Sequence, residues 1–554
     1  MTLLSFLLIV PILAGVALLL MPDSWTKVHR GISIMAAIIQ IVLVVFVYQD
    51  FDLTVGTYQL LERHNWFGLP LGALGQVNIQ YLLGVDGLNL ALVALSSVVL
   101  LLGAIASPAH TQHSKGYHSL YLLLSAAVMG TFLALDQFLF FLCFEFMLLP
   151  MYFLIGIWGG ANRTYAAIKF FLYTLLGSVM ILVVIIGLAN ATLDTEATAK
   201  RYATMTGQSI STQQVQADLL SRSLPQQYWV RTFAITDMAK AASQVPDSLL
   251  NPLTKGTIGG VDARWLAFLL LLIGFGIKLP TVPFHTWLPD AHVEAPTAIS
   301  VLLAGILLKI GAYGLLRLGY GLLPEAATSL SWLVGLLGAI SLVYGALVAM
   351  AQTDLKKMVA YSSVSHMGLV FLGLASGTTA GLQGAGFQLI SHGLLSAGLF
   401  LAVGILYDRT HDRDINAYQG LAKPMPYYTI LTGMLFFGSL GLPVFSGFIA
   451  ELMVLNGAVE AASNGGMTWI YVGTLLLTLL LTAGYFLWAF RRMFLGAFSV
   501  SDSVAVYLGP NPLTDNTKVE SLLLLVTVLG SIWLGLFPNT LLDILGAADI
   551  LKAH

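Results

Sequence analysis

Runs of mostly apolar residues, each long enough to cross a bilayer, recur along this chain with short polar connections between them. A helix rising 1.5 Å per residue needs about 20 such residues to span the hydrocarbon core. By that criterion the sequence predicts helices near 2–21, 30–48, 85–106, 117–135, 137–157 and 166–191. A second group follows near 263–282, 297–319, 328–350, 358–376, 385–407, 426–454, 468–494 and 520–541, about fourteen in all. The expected class is therefore an all-α polytopic membrane protein. Composition agrees: only 9% of the 554 residues are charged, where a soluble domain carries about 25%.

Other classes fall away for chemical reasons. The net charge of −2 gives no electrostatic footprint for a nucleic acid. Cys143 is the only cysteine, which excludes an internal disulfide, a CxxC motif and a thiolate-held cluster. No histidine pair has HxxxH or HExxH spacing, so no metal is expected, and no phosphate loop or GxSxG elbow is present. The opening "MTLLSFLLIVPILAGVALLLMPDSW" lacks a basic n-region and reads as a retained first helix, not a signal peptide.

Alternate connections hold thirteen lysines and arginines, among them Lys27, Arg163, Lys356, Arg413 and Arg491, against Arg63, Arg317 and Lys552 on the opposite side. The positive-inside rule then places both termini outward, away from the cytoplasm. Residues 192–263 are polar and contain no span, so they form an outward insertion. Within it "STQQVQADLLSRSLPQQYW" is expected to form a short amphipathic helix and "NPLTKGTIGG" a loop.

Four acidic or basic groups sit well inside predicted helices: Glu145 in "FLCFEFMLLPMYF", Lys278 in "GFGIKLP", Lys309 in "LLAGILLKIGAYG" and Glu451 in "LPVFSGFIAELMVL". Each costs about 2.5–3.5 kcal/mol at mid-bilayer if ionised, so each needs a partner, water or a neutral form. A structural salt bridge between Glu145 and Lys278 is the plain alternative. It leaves Lys309 and Glu451 unexplained, and a buried pair is often no better than an apolar replacement. Spread over four helices, the groups read as a chain of protonatable sites.

Pro280 removes an amide donor and breaks its helix just after Lys278. Such breaks survive in a membrane only inside protein or beside a water-filled cavity. "FFGSLGLPVFSGF" in the second half repeats the device, with Leu442–Pro443 matching Leu279–Pro280. Paired interruptions of this kind mark repeat-built transporters. His366 and His392 lie in helices of the second half, and His285 and His292 flank the first break. A lone histidine is usually a packing residue. Four placed among buried lysines point to a hydrated proton path.

The segments "KLPTVPFHTWLPDAHVEAPTAISVLLAGILLKIGAYGLLR", "QTDLKKMVAYSSVSHMG" and "QLISHGLLSAGLFLAVG" resemble the antiporter-like membrane subunits of respiratory complex I. The resemblance covers nearly the whole chain apart from 192–263. It implies two inverted five-helix repeats, helices 4–8 and 9–13, with broken helices 7 and 12. The chain then divides into 1–110, a first repeat over 111–320, a second over 321–500, and 501–554 with the last helix. "LPDAHVEAPTA", and glutamate at Glu451 where the L and N types carry lysine, set the chain apart from those two types.

The resemblance also implies roles. Glu145 would pair with Lys278, Lys309 would continue the line, His366 and His392 would occupy the central axis, and Glu451 would be its terminal acid. No cofactor is expected in this chain; NADH, FMN, iron–sulfur clusters and quinone would belong to other subunits. The expected partners are other membrane-arm subunits, especially L and N chains, with lipids and an accessory subunit at 192–263. The expected place is a bacterial cytoplasmic membrane. A subunit of a cation/proton antiporter, a ferredoxin-driven or hydrogenase-linked relative, and a passive scaffold are the alternatives.

Overall fold

The computed structural model describes residues 3–108, 112–252, 254, 256–509 and 512–552. Among these, eleven helices are long and apolar enough to cross a membrane, from Thr26–Gln49 to Lys518–Leu536, and the apolar helix Leu3–Leu19 is shorter. Two further crossings are interrupted: Ala263–Lys278 resumes as Trp287–Glu294, and Pro426–Ser439 resumes as Ser446–Ser463. Each predicted span has a counterpart in these elements.

Burial sorts the helices into an axis and a shell. Every residue in the apolar window of Thr297–Tyr320 is buried, as are 94% of those in Leu355–Ser376 and Thr379–Thr410. In Trp469–Phe494 and Lys518–Leu536 the share falls to 33% and 28%. The helices carrying Lys309, His366 and His392 are thus central, and their polar residues have no route to lipid.

Small residues set the helix spacing. A Cβ on Gly393 would stand 2.9 Å from the Gly305 carbonyl oxygen, so the Lys309 and His392 helices touch backbone to backbone. Gly177 and Gly274 do the same for Arg163–Asn190 and Ala263–Lys278, at 2.8 and 2.7 Å.

The segment between residues 49 and 87 is more than a connection. It forms a hairpin of β1 (Gln59–Pro70) and β2 (Gln76–Val85), joined in parallel by β3 (Val230–Thr232) from the insertion. Most of β1 is exposed, so it lacks the alternation that would have announced it. The insertion holds the expected helix, Thr212–Leu220, and another, Thr195–Thr206. "NPLTKGTIGG", of which Leu253 and Lys255 lie outside the described residues, ends in a tight hairpin pairing Thr257–Ile258 with Val261–Asp262 around Gly259 and Gly260. Arg63 on β1 clamps the insertion through Asp194 and Asp237, each at 3.2 Å.

Both ends of the described chain lie on this face. The backbone amides of Leu4 and Ser5 donate to Glu62 Oε1 at 2.9 and 3.1 Å. The segment around Ile544 lies against Gly87, at the start of Gly87–Ala106. The opposite face carries Lys169–Asp290 at 2.7 Å, Arg413–Asp354 at 3.2 Å and Arg409–Glu520 at 2.7 Å.

Two basic residues sit elsewhere than expected. Arg317 is no loop residue: it is buried in the last turn of Thr297–Tyr320 and grips Asp86 with both Nη atoms, one contact measuring 2.6 Å. Lys356 is also buried, and it donates to the Ala295 carbonyl at 2.7 Å. Arg317 lies near the end of the predicted 297–319 span, and Lys356 lies in a first turn that begins ahead of the predicted start at 358.

Candidate proton path

Lys278 is the last residue of its helix, immediately before the break. Trp287 Nε1 reaches back across the break to the Ile277 carbonyl at 2.8 Å, and Thr281 N reaches the Gly276 carbonyl at 2.8 Å. These contacts hold the two halves in place although the helical ladder is lost. The Lys278 ammonium is buried over the rings of Phe144 and Phe170, 5.2 and 5.4 Å from their centroids.

The expected Glu145–Lys278 pair is electrostatic and not a direct contact. Among the described residues Lys278 Nζ has no hydrogen-bond partner, and no carboxylate lies within the 4.0 Å of an ion pair. Glu145 is partly buried and stands in electrostatic reach of Lys278 and beside Ser178. The rings of Phe144 and Phe170 are its nearest described charge-stabilising partners, as cation–π contacts.

Lys309 is the best-connected member. Its Nζ donates to the Ala304 carbonyl and meets His392 Nδ1 at 2.8 Å. The helix widens to π geometry at Leu303–Leu307, just before the lysine. That widening loosens the backbone carbonyls, a distortion common at functional sites. Gly311, two residues on, lies against the Leu279 amide, so the Lys309 helix packs directly on the Lys278 break.

His392 and His366 face each other with ring centroids 5.5 Å apart, and Gln388 Nε2 stands 3.4 Å from His366 Nδ1. Glu451 completes the group. Two small cavities, of about 20 and 10 Å³, each touch both His366 and Glu451, and the second also touches His392. Such volumes are close to the ~10–15 Å³ that one water requires. Glu451 lies against Gly441, whose positive φ of 79° forms the second break. Each interrupted helix therefore presents one ionisable group at its interruption.

The other two histidines divide. His292 stacks on Phe400 at 4.2 Å and lies within electrostatic reach of Lys309 and Lys356, which ties it to the axis. His285 is set apart, edge-on to Tyr344 and Tyr361 at 5.1 and 6.1 Å. Sequence reasoning passed over Gln388, Ser391 and Ser446, the serines meeting at 2.8 Å beside the second break. Uncharged polar residues in a helix give no signal until their neighbours are known. Among the described residues no three His, Cys, Asp or Glu side chains gather as a metal site.

The profile of the family "NADH:quinone oxidoreductase/Mrp antiporter, TM" matches residues 134–220 and 241–479. NADH-quinone oxidoreductase subunit M of Rhodobacter capsulatus is 36% identical over 93% of this chain and 89% of its own length. NAD(P)H-quinone oxidoreductase chain 4 1 of Synechococcus elongatus is 37% identical over 90% of this chain and 82% of its own. A chain of respiratory complex I from Thermus thermophilus superposes with a TM-score of 0.75 at 27% identity, covering 99% of both chains. A chain of the Mrp complex from Dietzia superposes equally well, TM-score 0.75 over 98% and 96% of the two chains, at 22% identity, and shares the fold. The gap in the family match falls inside the polar insertion; the first segment contains Glu145, and the second contains the lysines, histidines and Glu451 of the central axis. The chain belongs to the family of NADH:quinone oxidoreductase and Mrp antiporter transmembrane subunits, and its relatives there include M, or chain 4, subunits.

Proposed function

We propose that the chain is a proton-translocating membrane subunit of an NADH:quinone oxidoreductase and that its buried Glu, Lys and His residues carry the protons. The observation that carries this reading is the 2.8 Å contact between Lys309 Nζ and His392 Nδ1 at the centre of the molecule. It joins two titratable groups that differ in basicity, with no lipid contact to justify either charge. A buried amine favours its neutral form, and a carboxylate approaching it favours the ammonium. Moving Glu145 relative to Lys278 therefore changes the charge of Lys278, and that charge acts on Lys309 across the packed break. Lys309 passes its proton to Nδ1 of His392. His366 and the two small cavities continue the line to Glu451.

Electron transfer would take place in other subunits, which would hold NADH, FMN, iron–sulfur clusters and quinone. Glu145 lies on a flank with Leu142, Phe146 and Leu149, each more than 40% exposed, and this flank suits a neighbouring membrane subunit such as an L or N chain. The two interruptions support division into two inverted five-helix repeats, helices 4–8 and 9–13, within 111–320 and 321–500. The shared face of both termini and the insertion, opposite the ion pairs of the basic face, supports a cytoplasmic membrane with both termini outside.

The test uses membrane vesicles carrying Lys309→Met, with assembly of the complex followed on a native gel. NADH-driven quinone reduction and proton uptake are recorded together. Loss of both in the assembled complex is expected. Wild-type values for both would overturn the path.

A further inference from the structure

We propose that the cavity between the insertion and the helices Arg163–Asn190 and Ala263–Lys278 is a seat for one anionic phospholipid. The cavity measures about 750 Å³, within the ~300–1,000 Å³ of ligand pockets. Its inner wall is apolar, with Val183, Gly187, Leu266 and Leu270 from the two helices. Val183 is 56% exposed on the outer surface of the bundle, so this wall continues into the lipid-facing side of the protein. An acyl chain can enter there without crossing a polar barrier.

The other end of the cavity is basic. Arg231 lines it while only 7% exposed. Its Nη1 donates to the Leu74 carbonyl and its guanidinium lies 5.3 Å from the centre of the Trp229 ring. Its buried Nε has no hydrogen-bond partner among the described residues, and no carboxylate there forms an ion pair with it. A buried guanidinium without a counter-charge is costly, and a phosphate supplies both the charge and the acceptor. Arg222 also lines the cavity and is paired with Asp247 at 2.5 Å. The charged lining residues Arg222, Arg231 and Asp247 thus leave the cavity with one net positive charge. The charge balance therefore selects an anionic headgroup over a zwitterionic one, and the apolar wall selects a lipid over free phosphate. Gly187 and Ala267 keep the tail end open, since larger side chains there would fill it. The inference is independent of the proton path.

The intact complex, purified in mild detergent, is analysed for bound phosphatidylglycerol and phosphatidylcholine by native mass spectrometry. Two variants are compared with wild type: Arg231→Gln at the charged end and Val183→Trp at the exposed tail end, where a change does not disturb the buried fold. Both are expected to lose one equivalent of phosphatidylglycerol per copy of the chain, with quinone reduction retained in Val183→Trp. Unchanged retention in Val183→Trp would overturn the proposal. Equal retention of phosphatidylcholine by wild type, and equal loss of it in the variants, would overturn the anionic assignment.

Discussion

Lys278 and Arg317 are both buried cations at helix ends, yet their surroundings differ in a way that separates function from support. Arg317 has a two-pronged contact with Asp86, and the rings of Tyr58 and Tyr313 lie over it at 5.3 and 5.0 Å. Lys278 has rings but no carboxylate in contact. The first pair is a lock. Asp86→Asn, which leaves a buried charge alone, should destabilise the chain by about 3–5 kcal/mol, read as faster thermal loss of the assembled complex. The second arrangement leaves the charge free to change. Glu145→Gln, which removes the carboxylate that acts on Lys278, should lower coupled quinone reduction and proton uptake about a hundredfold or more, the range of a lost proton-transfer group. Normal rates in an assembled Glu145→Gln complex would remove Glu145 from the path. The four charges were legible in the sequence because each interrupts an apolar run. The Asp86–Arg317 lock was not, because each partner stands at the edge of a run, where a charge is unremarkable.

At the scale of elements, proline marks and glycine contacts explain most of what the chain does. Pro280 and Pro443 announced the two breaks, and both occur where they were expected. The close approach of Gly305 and Gly393 places the Lys309 and His392 helices near enough for a 2.8 Å contact between side chains one turn and one residue away. A methyl group on Gly393 would meet Leu95 Cδ2 at 2.5 Å and the Gly305 carbonyl at 2.9 Å, so the helices must separate. Gly393→Ala should cost about 1–3 kcal/mol by overpacking. It should also slow proton uptake and quinone reduction together in the assembled complex. An assembled variant with wild-type rates would show that this spacing is not needed for proton transfer. Glycine contacts of this kind leave no mark in one sequence with 54 glycines, because most of them serve ordinary helix packing. The β1–β2 hairpin was equally silent. Its first strand is mostly exposed, and its partner β3 comes from a segment about 150 residues later.

The whole molecule has one elaborated face and one basic face, and this asymmetry gives the orientation its test. On the first, the hairpin holds the N-terminal helix through Glu62 and the insertion through Arg63, and the C-terminal segment around Ile544 lies against Gly87. On the second lie the ion pairs of Lys169, Arg409 and Arg413. The positive-inside count survives the burial of Arg317 and Lys356, since removing one residue from each side leaves the bias intact. Cys143, the only cysteine, is buried, so single cysteines introduced elsewhere report cleanly. Ser209 is exposed on the insertion and Ser503 is exposed beyond the helix Trp469–Phe494 on the basic face. In intact cells a membrane-impermeant maleimide should label Ser209→Cys and spare Ser503→Cys until the membrane is opened. The reverse pattern would invert the chain in the bilayer, and with it the orientation of the proposed path between Lys278 and Glu451.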